Sequence, residues 1–280
     1  MITDAQVHIW AASTPERPWP ARHQPHRATP ITAEELLATM KDTGVDKAIL
    51  VPPSWEGERN DVCLAAALAY PDKFAVMGRF DPMLPESQSL IPAWKQQRGM
   101  LGVRFTFHRP LLQPLLTEGR VDWLWPQAEK AGVPIMIYLH QELMPLIDRI
   151  AERHPGLHLI VDHLGMTKGK DAAAFAGIDH LLALAKRPNV AVKFSSIPMV
   201  MTEPWPYGGA LPYLKRVYDA FGPQRMFWAT DWSRLPCSYK EGLTMYTEAA
   251  PWRDWLNAAD REWMFGRGIC AWLGWKQNTQ

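Results

Sequence analysis

The polar residues of the first predicted strand are of types that bind metals, donate hydrogen bonds or carry protons. Asp4, Gln6 and His8 alternate with mostly apolar residues over positions 2–10. Because side chains alternate along a strand, all three face the same side of a sheet. An imidazole at a strand end can serve as a general acid or base, a hydrogen-bond donor or a metal ligand. A lone histidine there is more often satisfied by loop backbone than used in chemistry.

Later predicted strands end in similar residues. They are Arg104, Thr106, His108 and Arg109 in or after strand four, Tyr138 and His140 in strand five, Asp162 and His163 in strand six, Lys193 and Ser195 in strand seven, and Asp231 in strand eight. Each has an ordinary structural explanation, such as a helix cap for His140, a loop anchor for Asp162 or a rim position for Lys193. Buried charges cost free energy unless they are paired or used. Their recurrence at one end of so many strands favours a functional site.

Short apolar strands and amphipathic helices alternate along the chain, as the apolar spacing of the run from Leu143 to Ile150 illustrates. The strands are predicted at 2–10, 47–51, 74–80, 101–107, 134–140, 158–163, 190–195 and 225–231. Such repeats imply parallel pairing through right-handed crossovers, in an open doubly wound sheet or a closed barrel. Eight repeats, and no glycine-rich phosphate turn after strand one, favour the barrel. We predict an α/β protein with a single (β/α)8 TIM barrel domain over 1–280, whose active site lies at the C-terminal ends of the strands.

Composition narrows the class of partner. The 280 residues carry a formal net charge of +1 without a basic stripe, which argues against nucleic acid and anionic membranes as partners. No apolar run reaches the length of a membrane span, and no signal-peptide pattern opens the sequence. Cys63, Cys237 and Cys270 match neither a disulfide framework nor a cysteine zinc site. We expect a cytoplasmic protein that acts on a small molecule, and exposed tryptophans on outer helices would permit a homodimer.

Four segments resemble a known family. Residues 4–10 (Asp-Ala-Gln-Val-His-Ile-Trp) are similar to the first-strand Asp-x-His-x-His motif of the amidohydrolase superfamily. Residues 102–105, 161–165 and 229–232 resemble the corresponding strands of its amidohydrolase-2 branch. That branch includes sugar-lactone lactonases, the pyrone-dicarboxylate lactonase and several metal-dependent decarboxylases. The resemblance spans nearly the whole chain and implies a TIM-barrel hydrolase of carbohydrate or aromatic catabolism.

Gln6 departs from the family pattern, because the family typically has histidine at this position. An amide is a poor ligand for zinc or manganese, which prefer imidazole and carboxylate. The resemblance implies that His8, His140, His163 and Asp231 would hold a single Zn or Mn ion if one is bound. Lactonases of this branch include metal-independent members, and we therefore expect no metal cofactor.

The resemblance also implies the roles of individual residues. Asp231 would be the base that activates water and later returns the proton to the leaving oxygen, with a pKa raised by burial. His8 and His163 would be catalytic, donating hydrogen bonds to the carbonyl oxygen of a carboxylated lactone. The expected substrate-binding residues are Gln6, Arg104, Arg109, Tyr138, His140, Lys193, Trp232 and Arg234, with the arginines suited to a carboxylate.

Other functions fit the same residues. A metal-dependent decarboxylase of an aromatic or muconate-type acid would use the four-ligand site. A lactone isomerase would use the same residues while excluding water. Loss of a ligand at Gln6 would also fit a non-catalytic barrel that binds a small molecule.

Overall fold

The structure is a computed structural model that describes residues 1–20, 25–167, 169–250 and 252–276. One sheet runs in chain order from the first to the eighth strand, and its successive strands are parallel. The strands are β1 (Thr3–Val7), β2 (Lys47–Leu50), β3 (Phe74–Gly78), β4 (Met100–Thr106), β5 (Ile135–Tyr138), β6 (Leu159–Val161), β7 (Val190–Phe194) and β8 (Met226–Trp228). The backbone N–H of Asp231 donates to the carbonyl oxygen of Gln6 at 3.1 Å, so the chain after β8 reaches β1. The sheet is a nearly closed barrel, and the predicted TIM-barrel fold is confirmed.

Helices cover the outside of the sheet. They are α1 (Ala33–Thr43), α2 (Asp61–Ala69), α3 (Gln113–Thr117), α4 (Leu124–Ala131), α5 (Met144–Arg153), α6 (Ile178–Leu182), α7 (Ile197–Val200), α8 (Leu211–Phe221), α9 (Tyr239–Thr247), α10 (Ala258–Glu262) and α11 (Gly268–Leu273). Helix α1 begins where the Thr32 side chain accepts a hydrogen bond from the Glu35 N–H, and ends at Gly44 with φ 73°. These are the usual N-cap and left-handed C-cap devices.

Apolar side chains fill two layers. One lies between the strands and the outer helices, and the other fills the barrel interior. Interior side chains include Ile49, Met77 and Ile160, and α11 adds Ile269 and Leu273. The apolar interior leaves the polar side chains to the C-terminal ends of the strands.

Several strands are shorter than the sequence predicts, and the difference lies at their C-terminal ends. Strand β8 ends at Trp228 and β6 at Val161, whereas the predicted strands continue to Asp231 and His163. The chain turns there because His163 and Asp231 both adopt φ 54°. A positive φ is incompatible with a continued strand.

The buried carboxylate of Asp4 ties β1 to the chain after β8. It accepts hydrogen bonds from the Thr230 hydroxyl, the Thr230 N–H at 3.0 Å, the Gln6 N–H at 3.0 Å and the Tyr239 hydroxyl at 2.9 Å. Burial raises the pKa of Asp4 to about 6, although these hydrogen bonds favour the charged form. Asp4 therefore links the start of β1 to the segment that follows β8.

No helix in the described ranges is long and apolar enough to cross a membrane. Cys63, Cys237 and Cys270 are free thiols, and Cys63 and Cys270 are buried.

We predict that Tyr239→Phe lowers the free energy of unfolding by about 1–2 kcal/mol, because it removes one hydrogen bond to a buried carboxylate. Tyr246→Phe is the matched control, since Tyr246 is also a buried tyrosine of α9 and no hydrogen bond to its hydroxyl is found among the described residues. Urea denaturation of both variants gives the comparison. Equal losses would contradict the role assigned to Asp4.

Candidate active site

A small polar cavity opens at the C-terminal ends of the strands. Its lining residues are Gln6, His8, His26, Ser54, Trp55, Arg104, Thr106, His108, Arg109, Tyr138, His163, Asp231 and Arg234. A second cavity shares Tyr138, His163 and Arg234 with the first and continues beside Ser196 and Lys170. Eight of the predicted site residues meet in the first cavity: Gln6, His8, Arg104, Arg109, Tyr138, His163, Asp231 and Arg234.

Left-handed turns aim three side chains of the site. His163, Ser196 and Asp231 follow β6, β7 and β8 and have φ values of 54°, 59° and 54°. Non-glycine residues adopt this region rarely, at a cost of about 1–3 kcal/mol each, and such residues cluster at functional sites. Here the turns end each strand early and bring Ser196 within hydrogen-bonding distance of both His163 and Asp231.

Asp231 is almost completely buried and is surrounded by donors. His8 Nε2 lies 3.1 Å from Oδ1, Gln6 Nε2 lies 3.4 Å from the same oxygen, and the Ser196 hydroxyl donates to Oδ2 at 3.0 Å. Burial alone would raise the pKa of Asp231. The hydrogen bond from His8 and the electrostatic interactions with His163, His8 and Arg234 outweigh burial and bring this pKa well below its ordinary value. The prediction that Asp231 has a pKa raised by burial is therefore wrong.

His8 is fixed at both ring nitrogens. Nδ1 lies 2.6 Å from the carbonyl oxygen of Val51, and a carbonyl can only accept, so Nδ1 carries a hydrogen. Nε2 faces Asp231 Oδ1 at 3.1 Å, a contact that requires a proton between the two atoms. His8 is thus aimed at Asp231 by the end of β2.

Gln6 presents its amide nitrogen to the cavity. The Lys193 ammonium donates to Gln6 Oε1 at 2.6 Å, which fixes the amide oxygen on the side of Lys193. Gln6 Nε2 consequently points towards His163 Nε2 at 3.3 Å and Asp231 Oδ1 at 3.4 Å. An N–H group faces the place where the family pattern would put a ligand nitrogen.

These contacts select one tautomer of His163. Its Nε2 faces an N–H group and so accepts, whereas Nδ1 donates to the hydroxyls of Ser195 at 2.7 Å and Ser196 at 3.2 Å. Burial lowers the pKa of His163 to about 4, against the opposing charges of Asp231 and Asp162. His163 is neutral near pH 7 with its hydrogen on Nδ1, and its predicted role as a donor to a carbonyl oxygen stays a prediction.

Lys193 is wholly buried beneath the cavity, so the rim salt bridge considered for it is wrong. Its ammonium lies 2.7 Å from Asp162 Oδ1, and Arg104 Nε donates to Asp162 Oδ2 at 2.9 Å. Burial raises the pKa of Asp162, but the charges of Lys193 and Arg104 outweigh it and bring this pKa below its ordinary value. Lys193 does not line the cavities just described and reaches the site through Gln6.

Two other predicted residues also lie outside the cavity lining. His140 packs beside Tyr138 and His108, with Nδ1 3.5 Å from Glu142. Trp232 packs edge-on against Tyr239, where the Arg27 guanidinium covers its ring. Both residues follow the strand ends by sequence, but neither lines either of the two cavities.

The sequence indicates only weakly that some of the residues lining the cavities belong to the site. His26 lies in the long proline-rich loop after β1, packs 4.4 Å from Trp55 between ring centroids, and contacts the Ser233 hydroxyl at 3.0 Å. Burial lowers the pKa of His26 to about 3. The length of this loop is itself typical of functional loops. Ser196 has no such signal, because its position depends on the left-handed turn after β7.

The residues present do not fit a divalent ion. Gln6 turns N–H hydrogens rather than an oxygen lone pair towards His163 and Asp231, and His163 Nε2 is occupied as an acceptor. His140 lies outside the lining of this cavity. Within the described ranges, no group of three or more His, Cys, Asp and Glu side chains is arranged to hold a metal. We therefore derive no catalytic step through a metal.

Comparison with known proteins identifies the family. A model of the amidohydrolase family matches residues 3–268, so the chain belongs to that family, and the predicted amidohydrolase-superfamily enzyme is confirmed.

The individual relatives described below are at most 24% identical to this chain. The L-fucono-1,5-lactonase of Burkholderia ambifaria is 24% identical over 247 residues, which cover 83% of this chain and 81% of the lactonase. A crystal structure of an amidohydrolase from Burkholderia multivorans with bound zinc has a TM-score of 0.80 and 19% identity, covering 98% of this chain and 99% of that one. A candidate 2-pyrone-4,6-dicarboxylic acid hydrolase from Pseudomonas putida has a TM-score of 0.78 and 19% identity, covering 99% and 98%. These structural similarities support the barrel fold.

We predict that long-range ¹H–¹⁵N spectra show His163 neutral, with its hydrogen on Nδ1, from about pH 5 to 8. The Gln6 amide donates to Nε2, and burial disfavours the second proton. A His163→Gln spectrum assigns the signal. Gln6→Met keeps the side-chain length but removes the donor, so it should raise the fraction with hydrogen on Nε2. An Nε2–H tautomer in the unmodified protein would contradict the assigned contacts.

Proposed function

We propose that this protein hydrolyses a small carboxylated lactone without a metal, using Asp231 to activate water. The observation that carries the proposal is a buried carboxylate, Asp231, at the base of a cavity that three arginines also line. Arg104, Arg109 and Arg234 provide positive charge for a substrate carboxylate, and the guanidinium group can grip one bidentately. The similarity to the Burkholderia lactonase supports a cyclic ester as the bond that is cleaved.

His8 and Asp231 change roles together during the reaction. In the resting site, the hydrogen bond from His8 is a cause of the low pKa of Asp231, so this carboxylate is a weak base. When the substrate carbonyl oxygen takes over His8 Nε2–H, Asp231 loses that hydrogen bond and becomes more basic. Binding of the substrate therefore prepares the base and polarises the carbonyl at the same time.

The bonds change in two steps. Asp231 removes a proton from water as the oxygen attacks the carbonyl carbon, and His8 donates to the carbonyl oxygen as it gains negative charge. The tetrahedral intermediate then collapses, the ring C–O bond breaks, and Asp231 returns the proton to the leaving oxygen. The product is an open-chain hydroxy acid, which releases a proton to the solution near pH 7.

The three arginines have different roles in substrate binding. Arg104 is already paired with Asp162 through Nε, so it contributes as part of a fixed ion pair. Arg109 comes from the loop after β4 and donates to the Ser54 hydroxyl at 2.8 Å. Arg234 lines both cavities just past Asp231. We assign the substrate carboxylate to Arg109 and Arg234 because both line the cavity, together with Tyr138.

We predict that Asp231→Asn lowers kcat by at least about 10³-fold, because the amide cannot accept the proton of water. Asp254→Asn is the control with the same chemical change at an exposed site, and its kcat should not change. Activity is followed with a pH indicator on a panel of carboxylated lactones, and substrate binding by calorimetry. Turnover by Asp231→Asn close to that of the unmodified enzyme would contradict the assignment of the base.

We predict that Arg109→Met lowers kcat/KM by about 10²-fold for a carboxylated lactone, which is the worth of one charge-assisted contact. The same variant should change kcat/KM by less than about 3-fold for the matching lactone methyl ester or unsubstituted lactone. Arg120→Met, at an exposed arginine paired with Glu118, serves as the control. An equal loss of kcat/KM for charged and uncharged lactones would show that Arg109 does not bind the substrate carboxylate.

A further inference from the structure

The centre of the site contains more fixed positive charge than its buried ion pair needs. Arg104 and Lys193 both contact the single carboxylate of Asp162, at 2.9 Å and 2.7 Å. Because Asp162 carries one negative charge, this three-residue group has a net charge of +1 when all three are ionised. Asp231 is a second buried carboxylate at the strand ends. Buried carboxylates require compensation by a nearby positive charge.

The Lys193 ammonium is held in one orientation. It contacts Asp162 Oδ1 at 2.7 Å, donates to Gln6 Oε1 at 2.6 Å and lies 3.2 Å from the Met136 sulfur. The contacts with Gln6 and Met136 are hydrogen bonds, and the contact with Asp162 is an ion pair. The contact with Gln6 Oε1 connects the Lys193 ammonium to a residue that lines the cavity.

Gln6 transmits this charge to the catalytic side chains. Its oxygen accepts from Lys193, and its nitrogen faces His163 Nε2 at 3.3 Å and Asp231 Oδ1 at 3.4 Å. The amide dipole is therefore aligned with its positive end towards the imidazole lone pair and the carboxylate. A divalent ion placed among the same atoms would present positive charge to the same two partners.

We propose that Lys193, acting through Gln6, supplies the positive charge that a divalent ion would bring to His163 and Asp231, and excludes such an ion. Lys193 is a positioning residue, because it acts on the site through the Gln6 amide. The kinetic part of this inference rests on the proposed hydrolysis. The exclusion of metal is independent of turnover and is measured separately.

Zinc binding tests the exclusion. Three metal-stripped, tag-free proteins are titrated with zinc by calorimetry. They are the unmodified enzyme, the Gln6→His variant and the Gln6→His/Lys193→Met variant. A fourth protein, the Gln6→His/Lys186→Met variant, is the control, because Lys186 is a lysine that is mostly exposed. Methionine keeps the length of Lys193 without the charge, and Arg104 remains to pair with Asp162.

We expect the combined variant Gln6→His/Lys193→Met to bind one zinc ion at least about 10²-fold more tightly than Gln6→His, since removal of a nearby charge relieves repulsion in a buried site. Lys186→Met should leave the zinc affinity of Gln6→His unchanged. Equal affinity with and without Lys193, including no binding in either protein, would overturn the proposal. Should the combined variant fail to give a folded circular dichroism spectrum, Gln6→His alone remains decisive: tight zinc binding beside an intact Lys193 would also overturn it.

Kinetics test the electrostatic role in the protein with Gln6 intact. Lys193→Met should lower kcat by about 10-fold to 10²-fold with KM within about 3-fold of the unmodified value, because the substrate does not contact Lys193. A change confined to KM would overturn this role. If no lactone is turned over by the unmodified enzyme, the proposed hydrolysis fails, while the zinc titrations still decide whether Lys193 excludes metal.

Discussion

The site depends on the burial of one carboxylate between two cations. Asp162 sits at the end of β6 with no exposed surface, held by Arg104 from β4 and Lys193 from β7. Removing Asp162 would leave two buried cations uncompensated, a change that typically costs about 3–5 kcal/mol. The three strands are therefore tied together just below the cavity, and their tips are held in fixed relation to one another.

The orientation of the catalytic groups follows from this arrangement. Lys193 sets the Gln6 amide, the amide sets the His163 tautomer, and the left-handed turns bring Ser196 and Asp231 to the same cluster. On the other side, the end of β2 fixes His8 through the Val51 carbonyl oxygen. Asp231 is thus held by His8 and Gln6 from β1 and by Ser196 from the end of β7, and it lines a cavity together with three arginines. Hydrogen bonds and ion pairs among these side chains account for this geometry.

Periodicity predicted the barrel and most of the residues at its C-terminal face, because alternation along a strand decides which side chains point inward. The same reasoning could not place Lys193, whose long side chain is compatible with a rim position or a buried one until the partners from β1 and β6 are known. It also directed His140 towards the cavity, which His140 does not line, since turn geometry after β5 is not encoded in strand periodicity. The low pKa of Asp231 depends on His8 and Arg234, which meet it only in the folded barrel.

The most direct test of metal-independent hydrolysis combines elemental analysis with an activity assay on the same sample. The unmodified enzyme is purified, dialysed against a strong chelator, analysed for zinc and manganese, and then assayed for acid release from carboxylated lactones. We predict less than about 0.1 equivalent of either metal and full retention of activity, because the buried Lys193 ammonium, acting through Gln6, provides the positive charge. Activity that disappears with the chelator and returns with one equivalent of zinc or manganese would contradict metal-independent hydrolysis.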